Sequence, residues 1–341
     1  MKVLVTGATG YLGSLTTKRL LLDGHDVRVF VRSPDKFASL MEKLSVSPSE
    51  PEVAQGDITD EASVDAAVQG CEAVVHCAAI VATDPAQAQA MDETNLAGAR
   101  NVLGAAVAAG CDPTVHISSA AALFPFRADP VTADHPVMGN DEAYGRSKAA
   151  CERYARSLQD EGRSVVTVYP SGIIGPDDWT ESINLSSAVM WFEKGFPIAK
   201  GLSGNYVDVR DVAAVVSASL VPGRGPKRLL AFGSHLDARA HVAALTEATG
   251  AKIKTFPTPR WFMWTWGRLG DLTRRFGKDI VMTSDGYDYL FNCRPGDDSA
   301  TVEATGVEFR PVVETFRDMA RWMYEAGHVS AEKVGDLAAD A

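Results

Sequence analysis

Apolar and polar positions follow two periods along the first half of the chain. Short runs rich in Val and Ile read as six strands: KVLVT (2–6), DVRVFVR (26–32), PEVAQGD (51–57), EAVVHCAA (72–79), PTVHISS (113–119) and SVVTVYP (164–170). Between several of them apolar residues recur at helical spacing, which predicts helices over about 11–23, 85–109 and 140–162. Near-continuous Val/Ile strands alternating with helices predict a parallel sheet covered on both faces. The expected fold class is α/β, a doubly wound sheet whose ligand belongs at the carboxyl ends of the strands. After Pro170 the elements shorten, Gly/Pro breaks multiply and RWFMWTWGRLGDLTRRFG (260–277) brings three tryptophans together. The tail from about Ser330 reads as a loose helix end.

Composition narrows the function classes. The chain has 341 residues, 46% hydrophobic and 23% charged, which are ordinary globular values. A net charge of -11 argues against a general nucleic-acid binder, which needs a basic footprint, but leaves room for an anionic ligand at a locally positive site. The five cysteines are isolated, form no CxxC pair and sit in mostly apolar contexts, so reduced thiols are expected, with no disulfide frame and no metal site. No leader is visible, and no stretch approaches the ~20 apolar residues of a spanning helix. A cytoplasmic protein is the expectation.

The segment VLVTGATGYLG (3–13) carries the first chemistry. Gly7, Gly10 and Gly13 follow a strand and open a helix, the context that turns a weak glycine pattern into a dinucleotide-binding fingerprint. Gly7 is assigned to the sharp turn, Gly10 to close backbone approach of a pyrophosphate and Gly13 to tight helix–sheet packing, with the helix N-terminus facing the phosphates. The second strand ends in VFVRSPDK, with Arg32 at its tip and no acidic residue there. An arginine suits a 2′-phosphate, so NADP is expected over NAD, with Lys36 as a second cation; an ordinary surface arginine is the competing reading. In GDITD (56–60), Asp57 and Ile58 are candidates for the adenine side, and Asp60 for a helix N-cap before EASV.

YGRSK places Tyr144 and Lys148 four residues apart on one helix face. A lysine ammonium and a cationic nicotinamide ring favour a phenolate, which lets Tyr144 act as general acid or base. Ser118 and Ser119 close the fifth strand, where a hydroxyl can steady charge on a substrate oxygen; turn capping is the alternative.

With these segments the chain resembles an extended short-chain dehydrogenase/reductase. The matching residues are TGATGYLG (6–13), GDITD (56–60), HCAA (76–79), ETNLAGARNVL (93–103), ISSAA (117–121), YGRSK (144–148), PSGIIGP (170–176) and YVDVRDVA (206–213), in family order; ATGVEFRPVVETFRDMARWM (304–323) is similar to the family's last helix. The resemblance implies a Rossmann domain over 1–170. Residues 171–341 would form a smaller substrate-binding region, with about 205–235 returning to the Rossmann core. It implies Ser119, Tyr144 and Lys148 as catalytic residues, Ser119 standing 25 residues before Tyr144. It also implies cofactor contacts from Gly7, Thr9, Gly10, Tyr11, Leu12, Gly13, Arg32, Asp57, Ile58, Ala78, Ala79, Tyr144, Lys148 and Pro170. Asn95 would be structural or support a proton relay. A homodimer through the helices around 85–109 and 140–162 is common in this family.

Two branches of the family compete. Epimerases and dehydratases acting on nucleotide sugars usually carry a basic residue near YVDVRDVA; here Asn205 stands there, and SSAALFPF (118–126) is apolar. That pattern is more similar to the dihydroflavonol reductase and 3-beta-hydroxysteroid dehydrogenase branch. The expectation is therefore an NADP(H)-dependent oxidoreductase of an apolar carbonyl or alcohol, flavonoid-, sterol- or lipid-like. Pocket candidates are Phe124, Phe126, Trp179, Met190, Trp191 and Phe192, half of them expected in the core. A nucleotide-sugar enzyme with tightly held NAD(P) and a non-catalytic NADP-binding regulator remain as alternatives. Stretch 260–277 has three readings: a core or lid helix, a dimer contact, or a peripheral membrane contact suggested by Trp and Phe beside Arg260, Arg268, Arg274 and Arg275.

Overall fold

The computed structural model describes residues 1–81, 88–140, 143–274 and 283–339. Its first half runs β1 (Lys2–Thr6), α1 (Tyr11–Leu22), β2 (Asp26–Val31), α2 (Pro34–Lys43), β3 (Glu52–Gln55), α3 (Glu61–Val68), β4 (Ala73–His76), α4 (Ala88–Ala108), β5 (Thr114–Ile117), α5 (Ala120–Leu123), α6 (Ala143–Asp160) and β6 (Val165–Pro170). The chain continues through β7 (Gly172–Ile174), α7 (Ile183–Glu193), β8 (Phe196–Ile198), β9 (Ser203–Asp208), α8 (Val209–Ala218), β10 (Lys227–Ala231), β11 (Ser234–Asp237) and α9 (Ala238–Thr249). It ends with β12 (Thr255–Pro257), α10 (Arg260–Arg274), α11 (Ser284–Asn292), α12 (Ser299–Thr305), α13 (Val312–Glu325) and α14 (Ala331–Val334).

The main sheet is parallel, with strand order β10-β6-β5-β4-β1-β2-β3. The order reverses between β1 and β4, and the carboxyl ends of those strands open the crevice that doubly wound sheets use for ligands. All six strands read from the sequence are present. The helix α2 is additional to that reading and is set by a local cap, Ser33 accepting from the Lys36 amide before Pro34; α3 begins at the cap read from the sequence, Asp60 accepting from the Ala62 amide.

One face of the sheet packs α1, α2 and α8, the last through Val212 and Val216, over Val3, Val5, Val29, Val115 and Val168. The other packs α3 and α4, the latter through Val102, against Leu4, Phe30 and Val74. Both faces being covered explains why the strands lack polar alternation. The later elements build a second core around Leu185, Phe192, Phe196, Leu245, Phe291, Phe316 and Met323, with β7, β9 and β11 as a small sheet. It is stitched to the first: Thr301 Oγ1 donates to the Leu230 carbonyl at 2.7 Å, and Arg310 pairs with the buried Asp211 carboxylate. The tail beyond Ser330 corrects the sequence reading. It is not loose, because Val334 and Leu337 are buried in the second core.

Candidate active site

The glycine turn lies where the sheet order reverses. Gly7 has φ +74°, and a Cβ there would sit 2.6 Å from the Ala78 amide nitrogen at the end of β4. A Cβ on Gly13 would overlap the Gly7 carbonyl. Gly10 is different: its nearest neighbour is the Gly7 oxygen at 3.3 Å, so its exclusion of side chains serves something outside the protein. Gly10 is also the N-cap of α1, supplies no side-chain cap, and no acid stands in the first turn. Thr9, Tyr11, Leu12 and Gly13 thus surround a helix N-terminus with its positive end unquenched, a fit for a pyrophosphate. Tyr11 reaches across, its hydroxyl donating to the Pro176 carbonyl at 3.0 Å, and burial holds its phenol well above the ordinary value.

At the far end of the cleft Arg32 follows β2 and is exposed, with its carbonyl accepting from Gln55 Nε2 at 3.3 Å. Lys36 lies in the first turn of α2. Asp57 follows β3. Its carboxylate accepts from the Thr59 amide at 2.9 Å and hydroxyl at 2.8 Å, which, with the Arg32 charge, lowers its pKa. Ile58 turns inward against Gly98 of α4, where a Cβ would collide with its side chain. Its carbonyl accepts from Asn101 at 2.9 Å.

Ala78 and Ala79 continue from β4 into the crevice. Asn95 pins the next residue: its Oδ1 accepts from the Ile80 amide at 2.7 Å and its Nδ2 donates to the Ile80 carbonyl at 3.0 Å. The same Nδ2 donates to Ser147 at 2.9 Å. Ser147 sits between Tyr144 and Lys148 on α6, so one buried amide sets the segment after β4 and α6 against each other.

Lys148 is 6% exposed, and its Nζ donates to the Ile117 carbonyl at 3.0 Å at the end of β5. Two residues on, Ser119 caps α5, accepting from the Ala121 amide at 3.1 Å. Both sequence readings of this serine are compatible, since the capping oxygen is half-buried and still holds its proton to donate. Ser118 instead turns inward beside Glu152, without reaching hydrogen-bond geometry. Tyr144 is half-buried at the start of α6. Its neighbour Gly145 lies against the Ala121 carbonyl, 3.5 Å from a would-be Cβ, which brings the helix start to the serine turn. Pro170 ends β6 beside this group and is buried. Glu152 continues the Tyr144–Lys148 stripe inward, accepting from Tyr169 at 2.5 Å and Arg156 at 3.0 Å; burial raises its pKa.

A buried polar row beneath the site was not anticipated. Thr6, His76, His116 and Thr167 are register partners across β1, β4, β5 and β6. Thr6 Oγ1 and His76 Nδ1 are 2.8 Å apart, and the two imidazoles stack at 5.8 Å. Burial, then the Lys148 charge, pushes His76 down to about 3; burial likewise depresses His116. The neutral rings leave Lys148 as the cation of the site. The signal was a polar residue near the end of each strand, but only the register shows that they meet.

Beyond Pro170 lies a cavity of about 580 Å³. Its wall runs from Gly172 and Ile174 through Trp191, Phe196 and Tyr206 to Phe262, Trp266 and Tyr289. Tyr289 packs on Phe124 at 5.2 Å, and its phenol is raised by burial and then by Cys293, Tyr206 and Tyr144. Among the described residues of the lining, Lys194 is the one lysine or arginine, beside the buried His241 and the carboxylate of Asp237. Asn205 is spent internally, donating to the Arg294 carbonyl at 2.8 Å and lying 2.7 Å from His235 Nδ1. Of the pocket candidates, Met190 and Trp191 line the cavity and Phe124 and Phe126 pack against Tyr289. Phe192 is core, and Trp179 is edge-on to Trp322 at 5.2 Å, away from the lining. Residues 275–277 of the Trp-rich stretch lie outside the described residues.

The family model described as the NAD dependent epimerase/dehydratase family matches residues 3–228. A Synechocystis sp. protein provisionally named as a dihydroflavonol 4-reductase is 27% identical, over 96% of each chain. Sterol demethylase protein B of Methylococcus capsulatus is 29% identical, over 96% of this chain and 100% of its own. In three dimensions the chain is similar to UDP-glucose-4-epimerase from Stenotrophomonas maltophila, solved with NAD and formylated UDP-arabinopyranose. The TM-score is 0.74 at 21% identity, over 97% of this chain and 100% of that one.

Proposed function

The chain belongs to the NAD dependent epimerase/dehydratase family and is an NAD(P)-dependent oxidoreductase of the extended short-chain type, and from that premise we propose that it uses NADP(H) to interconvert a ketone or aldehyde and its alcohol on an apolar small molecule. The observation that carries this reading is the cavity beyond Pro170: largely aromatic and aliphatic walls in which, among the described residues, Lys194 is the one lysine or arginine. A nucleotide-sugar diphosphate would need paired cations there, and Asn205 is committed to Arg294 and His235. A substrate like those named for the dihydroflavonol and sterol relatives, rigid and largely apolar, suits such walls.

When bound, the nicotinamide supplies or accepts the hydride. In the reductive direction Tyr144 donates its phenolic proton to the carbonyl oxygen as that oxygen gains charge. Lys148, fixed by the Ile117 carbonyl, holds its ammonium near that phenol and stabilises the phenolate left behind. Ser119 donates its hydroxyl hydrogen to the same substrate oxygen while its own oxygen remains anchored to the Ala121 amide. Asn95 keeps Ala78, Ala79 and α6 in one arrangement throughout. Arg32, exposed at the tip of β2 where no acid stands, pairs with the 2′-phosphate.

Fluorescence titration with NADPH and NADH, together with NADPH consumption on apolar ketones and aldehydes, tests the reading. NADPH should bind at least about tenfold more tightly. The Arg32→Ala variant should lose that advantage without weakening NADH. Preference for NADH, cofactor that will not exchange, or strong thermal stabilisation by UDP- or GDP-sugars would move the chain to the nucleotide-sugar branch.

A further inference from the structure

Six of the twelve exposed large apolar side chains among the described residues stand on the fifteen residues of α10. The helix has three faces. Met263, Gly267 and Gly270 point inward, and Gly267 approaches α11 so closely that a Cβ would lie 2.9 Å from the Thr283 carbonyl. Phe262 and Trp266 form a rim that also lines the cavity. Trp261 (68% exposed), Trp264 (49%), Arg268 and Leu272 (50%) run along the outer face at helical spacing, with the Arg268 guanidinium over the Trp264 ring at 5.1 Å. Met190 and Phe256, also exposed, stand at the same cavity wall.

We propose that the outer face of α10 docks on an anionic lipid bilayer and sets the cavity wall of Phe262 and Trp266 against that surface. Charge favours this occupant. On this helix Arg268 stands on the outer face and Arg260 at its start, where it also donates to the Tyr287 hydroxyl, while Asp271 is taken up by the Ser284 amide, inside a chain of net charge -11. Indole rings flanked by arginines suit the headgroup–acyl boundary, where the guanidinium reaches outward. A second copy meeting this face by two-fold symmetry would lay the same basic helix against itself. Docking stands independently of the redox reading. Its consequence for that site, that a lipid-dissolved carbonyl enters from the bilayer past Phe262 and Trp266, rests on that reading.

The test is co-sedimentation of the full chain with phosphatidylcholine vesicles, with and without phosphatidylglycerol, at low and high salt. NADPH binding and oligomeric state are measured in parallel. The protein should sediment with anionic vesicles, less so with phosphatidylcholine alone or at high salt. The variant Trp261→Ser/Trp264→Ser/Leu272→Ser should lose at least about tenfold in partitioning while binding NADPH normally. If that variant misfolds, Arg268→Glu serves: it should weaken binding to anionic vesicles alone. Wild-type protein left in the supernatant, or variants that sediment unchanged, would overturn the docking. A dimer that the triple substitution converts to monomer, with vesicle binding unaltered, would assign the face to a second copy. Normal vesicle binding without NADPH binding would sink the redox reading and leave the docking standing.

Discussion

Asn95 Nδ2 donates to Ser147 Oγ at 2.9 Å, tying α4 to the helix that carries Tyr144 and Lys148, while both of its amide atoms hold the Ile80 backbone. Asn95→Leu would strand the Ile80 amide, its carbonyl and the Ser147 hydroxyl without partners. Leaving such groups unpaired costs about 1–3 kcal/mol, which urea unfolding should register. The cofactor floor and α6 would also lose their common anchor, so NADPH affinity should fall together with turnover. Unchanged stability and unchanged NADPH affinity would show that the clamp is dispensable.

The three glycines of the turn should fail in different ways. At Gly13 a methyl group meets the Gly7 carbonyl, backbone that cannot swing aside. Gly13→Ala should therefore destabilise the fold itself by several kcal/mol, on the scale of severe overpacking at ~1–3 kcal/mol or more. At Gly10 the nearest atom is the Gly7 oxygen at 3.3 Å, tight but not overlapping, and φ is negative, so Gly10→Ala should lose far less stability than Gly13→Ala and chiefly lose dinucleotide affinity. Gly7→Ala combines a left-handed φ with a clash against Ala78 and should be the worst of the three. Equal melting temperatures for the Gly10 and Gly13 variants would contradict this ordering.

Strands β1, β4, β5 and β6 were legible because each is buried along nearly all of its length and so is rich in Val and Ile between polar turns, whereas β3 is an exposed edge strand carried by little more than Val53. The start of α1 was legible from Gly10 and the start of α3 from Asp60, both local signals. What could not be read was whatever depends on packing between distant segments. On α7 the run from Ala188 to Phe192 is apolar without a break, so Met190, Trp191 and Phe192 look alike in sequence, yet two line the cavity and the third is core. Trp179 likewise depends on Trp322, far along the chain. The row Thr6, His76, His116 and Thr167 exists only through strand register. Within the candidate site, the residue types were readable from YGRSK and ISSAA, but the Asn95 clamp that relates them was not.

In the proposed mechanism, Tyr144→Phe removes the phenol that gives its proton to the substrate oxygen. It should cut kcat by about 10²–10⁴ while leaving NADPH affinity near wild type, because the phenol is not part of the glycine cradle. Lys148→Met should do both kinds of damage. It removes the ammonium one helical turn along α6 from Tyr144 and leaves the Ile117 carbonyl without its buried donor, so turnover, cofactor affinity and stability should fall together. A Tyr144→Phe enzyme with wild-type kcat would exclude the tyrosine as acid.

Three buried histidines make the fold sensitive to mild acid. His76 and His241 are pushed down to about 3 and His116 well below its ordinary value, each chiefly by burial. The unfolded chain takes up these protons near ~6.5, whereas the folded chain refuses them, so the stabilising contribution is complete above ~6.5 and is lost as pH falls from there toward about 3. Each histidine costs about 1.4 kcal/mol per pH unit inside that window, or about 2 kcal/mol by pH ~5. His241 offers the cleanest test. Its ring lies 4.2 Å from Phe196 and 4.4 Å from Trp191, and both of its nitrogens lack partners. His241→Phe keeps the ring and removes the titration. Urea unfolding at pH ~7, ~6 and ~5 should show the variant losing less stability on acidification by about one histidine's share. Parallel losses in the two proteins would mean that His241 does not couple folding to pH.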